Sequence, residues 1–216
     1  CHDVTPHAVK EGAWLLDHSF EWFPGGSIFV AVVDPGVGTD RRALAVETCA
    51  GVFVGPDNGL LYPAVVRAGI CRAVSLPVPP GASNTFHGRD VFAPAAARLA
   101  SGVPLESLGE PIDEPIASLI PLDFWLQGRE GEIVRIDRFG NCITNLPVVP
   151  GKDVYDAAIE EGDLPPELRL YANYQEAPAE SLFLVQSSYG TLEIALKEGA
   201  AASRIKARPG CRIRLA

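Results

Sequence analysis

The stretch that most constrains this fold is VVDPGVGTDRRA, Val32 to Ala43. Ile28, Val30, Val32 and Val33 make an apolar, β-branched run that stops at Asp34-Pro35-Gly36. An apolar run bounded by turn formers predicts a buried strand, here Ser27 to Val33. Pro35, Gly36 and Gly38 predict a loop at its C-terminal end, where the backbone turns sharply or approaches something closely. In open α/β sheets that edge is where ligands sit. A carboxylate there, with Arg41 and Arg42 seven and eight positions later, can set opposite charges over one pocket. A structural Asp-Arg pair bracing a tight loop explains the same residues equally well.

A chain of 216 residues, 47% hydrophobic and 21% charged, fits one large or two small globular domains. At this size about 70% of the unfolded surface can be buried without staples. The net charge of -9 disfavours a polyanion partner. The densest basic stretch, Arg204 to Arg214, reads as a solvated terminal strand, so no nucleic-acid binding is expected. Five scattered cysteines (Cys1, Cys49, Cys71, Cys142, Cys211) without a CxxC favour free thiols in a reducing compartment, hence a cytoplasmic protein. His2, His7, His18 and His87 show no metal-ligand spacing, and no metal is expected. Neither a membrane-spanning run nor a signal peptide is visible. The chain has no Met and begins with Cys1, which reads as a fragment or a processed chain.

Along the chain, Thr5-Pro6 predicts a helix N-terminus, with Thr5 as cap, and helical spacing of Val9, Ala13, Leu16 and Phe20 extends it over residues 6–20. Strands are expected at Ala43–Thr48, Val52–Val54 and Cys71–Leu76, with a short helix over Leu60–Ala68. Gly55-Pro56-Asp57-Asn58-Gly59 is a strong turn former with a mainly structural role. Asp90 is expected to cap a helix over Val91–Leu99, leaving His87 and Gly88 just outside its N-terminus, where N–H groups and the macrodipole attract polar ligands. A histidine in that position is more often a plain surface residue.

Residues 102–128, with Pro104, Pro111, Pro115 and Pro121, read as a linker between an N-terminal domain over residues 1–125 and a C-terminal one over 126–216. Beyond it, Glu132–Asp137 and Cys142–Leu146 predict a hairpin around Phe139-Gly140-Asn141. Pro147–Pro178 reads as irregular, with a helical patch near Val154–Glu160. Leu182–Ser187 and Thr191–Leu196 predict a second strand pair, Ala200–Ile205 a short helix, and Cys211–Leu215 a closing strand. The first half is therefore α/β and the second β-rich.

Five motifs occur in order: DPGVGTDRR, GPDNG, TFHGRD, IDRFGNCITN and SSYGTLEIA. Together they resemble the S-adenosyl-L-methionine (SAM) hydroxide adenosyltransferases, or SAM hydrolases, relatives of fluorinase and chlorinase. The resemblance runs from CHDVTPHAVKEGA to the final strand. It implies an α/β N-terminal domain, with a mixed sheet flanked by helices, and an all-β, barrel-like C-terminal domain. It also implies cleavage of SAM at the ribose 5′ carbon to adenosine and methionine, without a cofactor. The expected assembly is a homotrimer whose sites lie between subunits. By motif position the catalytic trio is Asp34, Arg41 and His87. The halogenating branch carries Tyr at the position of Asp34 and Tyr-Ser or Tyr-Gly in place of His87-Gly88, so this chain matches the water-using branch. Family members also open with a strand and a TDFG-type motif that holds the ribose. This chain lacks that unit, so its sheet is expected to miss a first strand.

On this resemblance Asp137 suits the methionine ammonium, and Asn141 an adenine or amino-acid contact. Ser188 and Tyr189 suit the carboxylate or the ring face, and Phe139 an apolar wall. His7 stands where relatives have an aromatic residue near the ligand. Thr85, Phe86 and Gly88, flanking His87, are expected to touch substrate. The leaving thioether is neutral and needs no acid, so the demand falls on the nucleophile. Water must be aligned with the C5′–S bond and relieved of a proton. His87 or Asp34 can accept that proton, and Arg41 can favour a hydroxide-like species. Three alternatives stay open: a SAM-dependent halogenase using chloride, a non-catalytic adenosine- or SAM-binding module, and an α/β scaffold acting through its trimer surface.

Overall fold

The computed structural model describes residues 3–216, so Cys1 and His2 lie outside the described residues. The chain divides into two compact units, Cys1–Asp123 and Phe124–Ala216.

In the first unit, β1 (Ser27–Val30), β2 (Ala43–Thr48), β3 (Gly51–Pro56), β4 (Ile70–Leu76) and β5 (Glu110–Pro111) form one mixed sheet. The strand order is β1-β3-β2-β4-β5. β1 runs parallel to β3, and the other neighbours are antiparallel. Alternate residues of a strand face opposite sides. Leu44 and Val46 accordingly pack with Phe53, Leu61 and Val65, on the side of helix α2 (Tyr62–Ala68). Ala43 and Ala45 pack with Val74, Phe92 and Ala95, on the side of helix α3 (Ala93–Ala100). Both faces of β2 are therefore covered, which is why it reads as a nearly continuous apolar run.

In the second unit, β6 (Glu130–Ile136), β7 (Cys142–Pro147), β8 (Val154–Ile159), β9 (Glu167–Arg169), β10 (Leu182–Gln186), β11 (Thr191–Leu196) and β12 (Arg212–Leu215) form an antiparallel sheet. Its order is β10-β11-β7-β6-β12-β8-β9. A bridge between Leu170 and Leu184, with the Tyr171 N–H donating to the Leu184 carbonyl at 2.9 Å, brings the two ends together into a nearly closed barrel. Tyr155, Leu184, Ile194 and Ile205 fill its interior. Expectation and structure agree on this architecture, an α/β unit followed by a barrel-like β unit.

Several local expectations are corrected. The first helix is Val9–Asp17, and Thr5 does not cap it. His7 takes a left-handed φ of 67°, so the chain turns at residues 5–8, where the Ala8 N–H donates to the Thr5 carbonyl, before the helix begins. The strand expected over Ser27–Val33 ends at Val30 and is not buried, because β1 lies at the sheet edge and leaves Val30 46% exposed. Asp90 is no cap. Helical geometry starts before it in a wide turn, Gly88–Phe92, in which the Ala93 N–H donates to the Gly88 carbonyl. Residues 102–123 are no loose linker: Leu105, Leu108 and Leu119 are buried in the first unit, and β5 pairs with β4. Val154–Glu160 holds a strand rather than a helical patch, since alternate burial of Tyr155 and Ala157 and pairing with β12 override local helical preference.

Candidate active site

Beyond β1 the chain stays extended because the Ala31 N–H donates to the Val54 carbonyl at 3.0 Å and Asn58 Nδ2 donates to the Val33 carbonyl at 2.8 Å. It then folds back. The Val37 N–H donates to the Asp34 carbonyl, and both the Thr39 N–H and its hydroxyl donate to the Gly36 carbonyl. This double turn returns Arg41 to face Asp34. Arg41 Nε donates to both Asp34 carboxylate oxygens at 3.0 Å, and Nη2 donates to Oδ2 at 2.5 Å. The two side chains are only 8% and 5% exposed. Nη2 also reaches His87 Nδ1 at 2.8 Å, and the guanidinium lies 5.3 Å from the ring centre of buried Phe92.

A close loop contact brings His87 to this pair. Gly38 has φ +79°, and a Cβ there would stand 2.3 Å from the Asn84 carbonyl oxygen. Only glycine fits, because it alone combines the left-handed conformation with the close approach. The 77–86 loop is tied in turn to the start of the helical segment. The Ser83 N–H donates to Asp90 Oδ2 at 2.8 Å, and the Arg89 and Asp90 N–H groups donate to the Phe86 carbonyl. Arg89 beside it, then the Ser83 N–H, hold the Asp90 carboxyl down at about 2. His87 itself is 4% exposed, so it is not the surface histidine its position first implies.

The adjacent arginines do different jobs. Arg42 donates to Asp57 Oδ2 from Nε at 2.9 Å and from Nη2 at 2.6 Å, and also to the Ser118 carbonyl. Asp57 Oδ1 accepts the Ile120 N–H at 2.9 Å. The GPDNG loop is therefore a brace for the 118–120 segment and, through Asn58, for the exit of β1.

The arrangement assigns a tautomer. A guanidinium only donates, so His87 Nδ1 must accept from Arg41. The neutral ring then carries its proton on Nε2. Asp34 does not touch His87 directly; Arg41 lies between them, and its hydrogen bonds engage both carboxylate oxygens.

A second group of expected residues meets in the C-terminal unit. Asp137 Oδ1 accepts the Phe139 and Asn141 N–H groups at 2.9 Å, and Oδ2 accepts Asn141 Nδ2 at 3.1 Å. Asp137, Phe139 and Asn141 line a cavity of about 650 Å³ together with Tyr174, Gln175 and the segment Leu196–Gly199. Ser188 and Tyr189 do not line it; they lie in the β10–β11 turn, where the Tyr189 N–H donates to Ser187 Oγ at 3.2 Å. Thr85 closes a turn onto Ser83 Oγ, and Phe86 is 53% exposed beneath the Arg89 guanidinium. Gly88 follows His87 in the wide turn, and exposed His7 makes no hydrogen bond or ring contact with the trio among the described residues.

Tyr174 and Glu193, absent from the expected site residues, also meet in this unit. The Tyr174 hydroxyl donates to Glu193 Oε1 at 2.5 Å. Burial, and then the charge of Asp137, push the Glu193 carboxyl up. Burial and the Glu193 carboxylate push the Tyr174 phenol up as well. A clue was present: Glu193 is the one charged residue inside the apolar run TLEIAL.

An α/β unit carrying a buried Asp-Arg-His cluster, followed by a barrel-like β unit with a cavity lined in part by Asp137 and Asn141, matches one family along both halves. The SAM hydroxide adenosyltransferase N-terminal domain matches residues 1–109, the C-terminal domain matches residues 131–214, and the chain belongs to this family. It is 37% identical to an (R)-S-adenosyl-L-methionine hydrolase of Thermus thermophilus, over 99% of this chain and 85% of that one. A solved conserved protein of Thermotoga maritima superposes with a TM-score of 0.87 at 29% identity, over 100% of this chain and 87% of that one. A fluorinase of Nocardia brasiliensis is more distant, 30% identical over 68% of this chain and 59% of its own length.

Proposed function

We propose that this protein hydrolyses SAM to adenosine and L-methionine, by attack of a water-derived oxygen on the ribose 5′ carbon. The observation that carries the reading is the buried Arg41 fork joining the Asp34 carboxylate to His87 Nδ1. Asp34 fixes the guanidinium, and the guanidinium fixes the ring and its tautomer. Nε2–H is then a donor aimed away from Arg41. A donor held at the nucleophile, with a cation behind it, favours a hydroxide-like oxygen. The departing thioether is neutral, so the charge on sulfur is lost without any acid. In this account His87 acts as donor, and the water proton leaves to solvent.

Binding is assigned by motif position and by the cavity. Asp137 takes the ammonium, Asn141 the adenine edge or the amino acid, and Phe139 an apolar wall that exposed Tyr174 extends. Thr85, Phe86 and Gly88 are proposed to touch substrate beside His87. Ser188, Tyr189 and His7 are proposed ligand contacts on the resemblance alone. The resemblance also supports a homotrimer with sites between subunits, and the free thiols support a cytoplasmic setting. Among the described residues no helix is long and apolar enough to cross a membrane. The test is to incubate the protein with SAM and separate the nucleosides. Adenosine is expected; 5′-chloro-5′-deoxyadenosine formed instead, in chloride, would favour the halogenating branch.

A further inference from the structure

We infer that Cys49 and Cys71 form a dithiol site that a small disulfide oxidant converts to an intramolecular disulfide. Their sulfurs lie 4.0 Å apart, and both residues are exposed. The backbone brings them together. Pairing of β2 with β4 runs in register to Glu47–Arg72 and then slips to Thr48–Ile70, which leaves Cys71 unpaired as a bulge in the ladder. A bulge redirects its side chain, here toward Cys49. Cys49 is tied to the same corner, its N–H donating to the Ala68 and Gly69 carbonyls at 3.2 and 3.1 Å. Bond formation shortens the sulfur separation from 4.0 Å to about 2.05 Å.

The remaining described cysteines are protected. Cys142 and Cys211 are buried, out of contact with a solvent-borne oxidant. The reaction balances with oxidised glutathione as oxidant. One protein thiolate attacks the glutathione disulfide and releases one glutathione thiolate. The second protein thiolate attacks the mixed disulfide, forming Cys49–Cys71 and releasing the other. Two protein thiols are oxidised, one disulfide is reduced, and the two protons end on glutathione. The bridge would close the segment carrying β3, the GPDNG brace and α2. It lies at the opposite ends of β2 and β4 from Arg41 and the 77–86 loop, so substrate access is not blocked.

The test treats the full chain with oxidised glutathione, counts native thiols with a chromogenic reagent, and maps peptides without reduction. The expected result is loss of two reactive thiols, a linked Cys49–Cys71 peptide, a Tm raised by a few degrees, and reversal by dithiothreitol. Cys49→Ser and Cys71→Ser, both exposed conservative changes, should each abolish the link. Unchanged thiols, a glutathione adduct that persists on either residue, a link to Cys1, or covalent dimers through these cysteines would overturn the inference.

Discussion

Arg41 Nη2 donates to His87 Nδ1 at 2.8 Å while the same guanidinium grips Asp34. Because guanidinium cannot accept, this contact decides what the imidazole can do. Nδ1 is used as an acceptor, and the proposed reading assigns Nε2–H to the nucleophile. A role as proton acceptor at Nε2 would require the other tautomer, and with it loss of the Arg41 hydrogen bond.

Substitutions at His87 separate the donor from the base. His87→Ala should lower turnover about 100- to 1,000-fold, as loss of one transition-state donor does elsewhere. His87→Gln supplies a side-chain N–H but no base, and should retain clearly more turnover than His87→Ala. Equal loss in both variants, measured as kcat with SAM, would point to proton abstraction instead.

Arg41→Ala leaves the Asp34 carboxylate, 5% exposed, without its partner. Stranding one member of a buried ion pair costs about 3–5 kcal/mol. Urea unfolding should therefore show a large fall in midpoint. Arg41→Lys should keep part of that stability but lose turnover, since one ammonium cannot reproduce a fork that engages both Asp34 and His87. An Arg41→Lys enzyme with full activity would contradict the bridging role.

Gly38→Ala tests how His87 is delivered. A Cβ would meet the Asn84 carbonyl oxygen at 2.3 Å, with φ at +79°. The loops must then separate, at a cost of about 2 kcal/mol or more once left-handed strain is included. Gly81→Ala is the control: its φ is +87° but nothing lies within 4 Å, so only the left-handed backbone cost of about 1 kcal/mol applies. Thermal unfolding and kcat should both fall much further for Gly38→Ala.

Asp34, Arg41 and His87 were named together only through the family resemblance, and their arrangement was not legible in the sequence. Asp34 and Arg41 stand out because an apolar run breaks at Asp-Pro-Gly and charge follows. Burial of His87 depends on the Gly38–Asn84 approach, which no local pattern records. The same holds for Glu193 and Tyr174, which belong to different segments and meet only when the barrel nearly closes. Helical preference misled at Val154–Glu160, where β12 decides the conformation. The irregular 102–123 stretch hid Leu105, Leu108 and Leu119, buried at spacings that follow no single period.

Glu193 gives a pH signature. Its folded-state pKa is raised above the ordinary 4.5, mainly by burial. The protonated form is therefore the one folding favours. Its contribution is fully present below about pH 4.5 and is lost as pH rises through the folded value. Glu193→Gln mimics the neutral form and keeps an acceptor for the Tyr174 hydroxyl. Relative to wild type, the variant should gain stability between acidic and neutral pH and show no difference below the ordinary value. A constant offset across the range, read from denaturant midpoints, would contradict this.

The most direct measurement follows the oxygen. The protein is incubated with SAM in water enriched in the heavy oxygen isotope, and the nucleoside product is weighed by mass spectrometry, alongside His87→Ala. Adenosine carrying the heavy isotope at its 5′ hydroxyl is expected, with formation strongly reduced in the variant. No adenosine from the wild-type protein, adenosine without the label, or equal formation by the variant would contradict it.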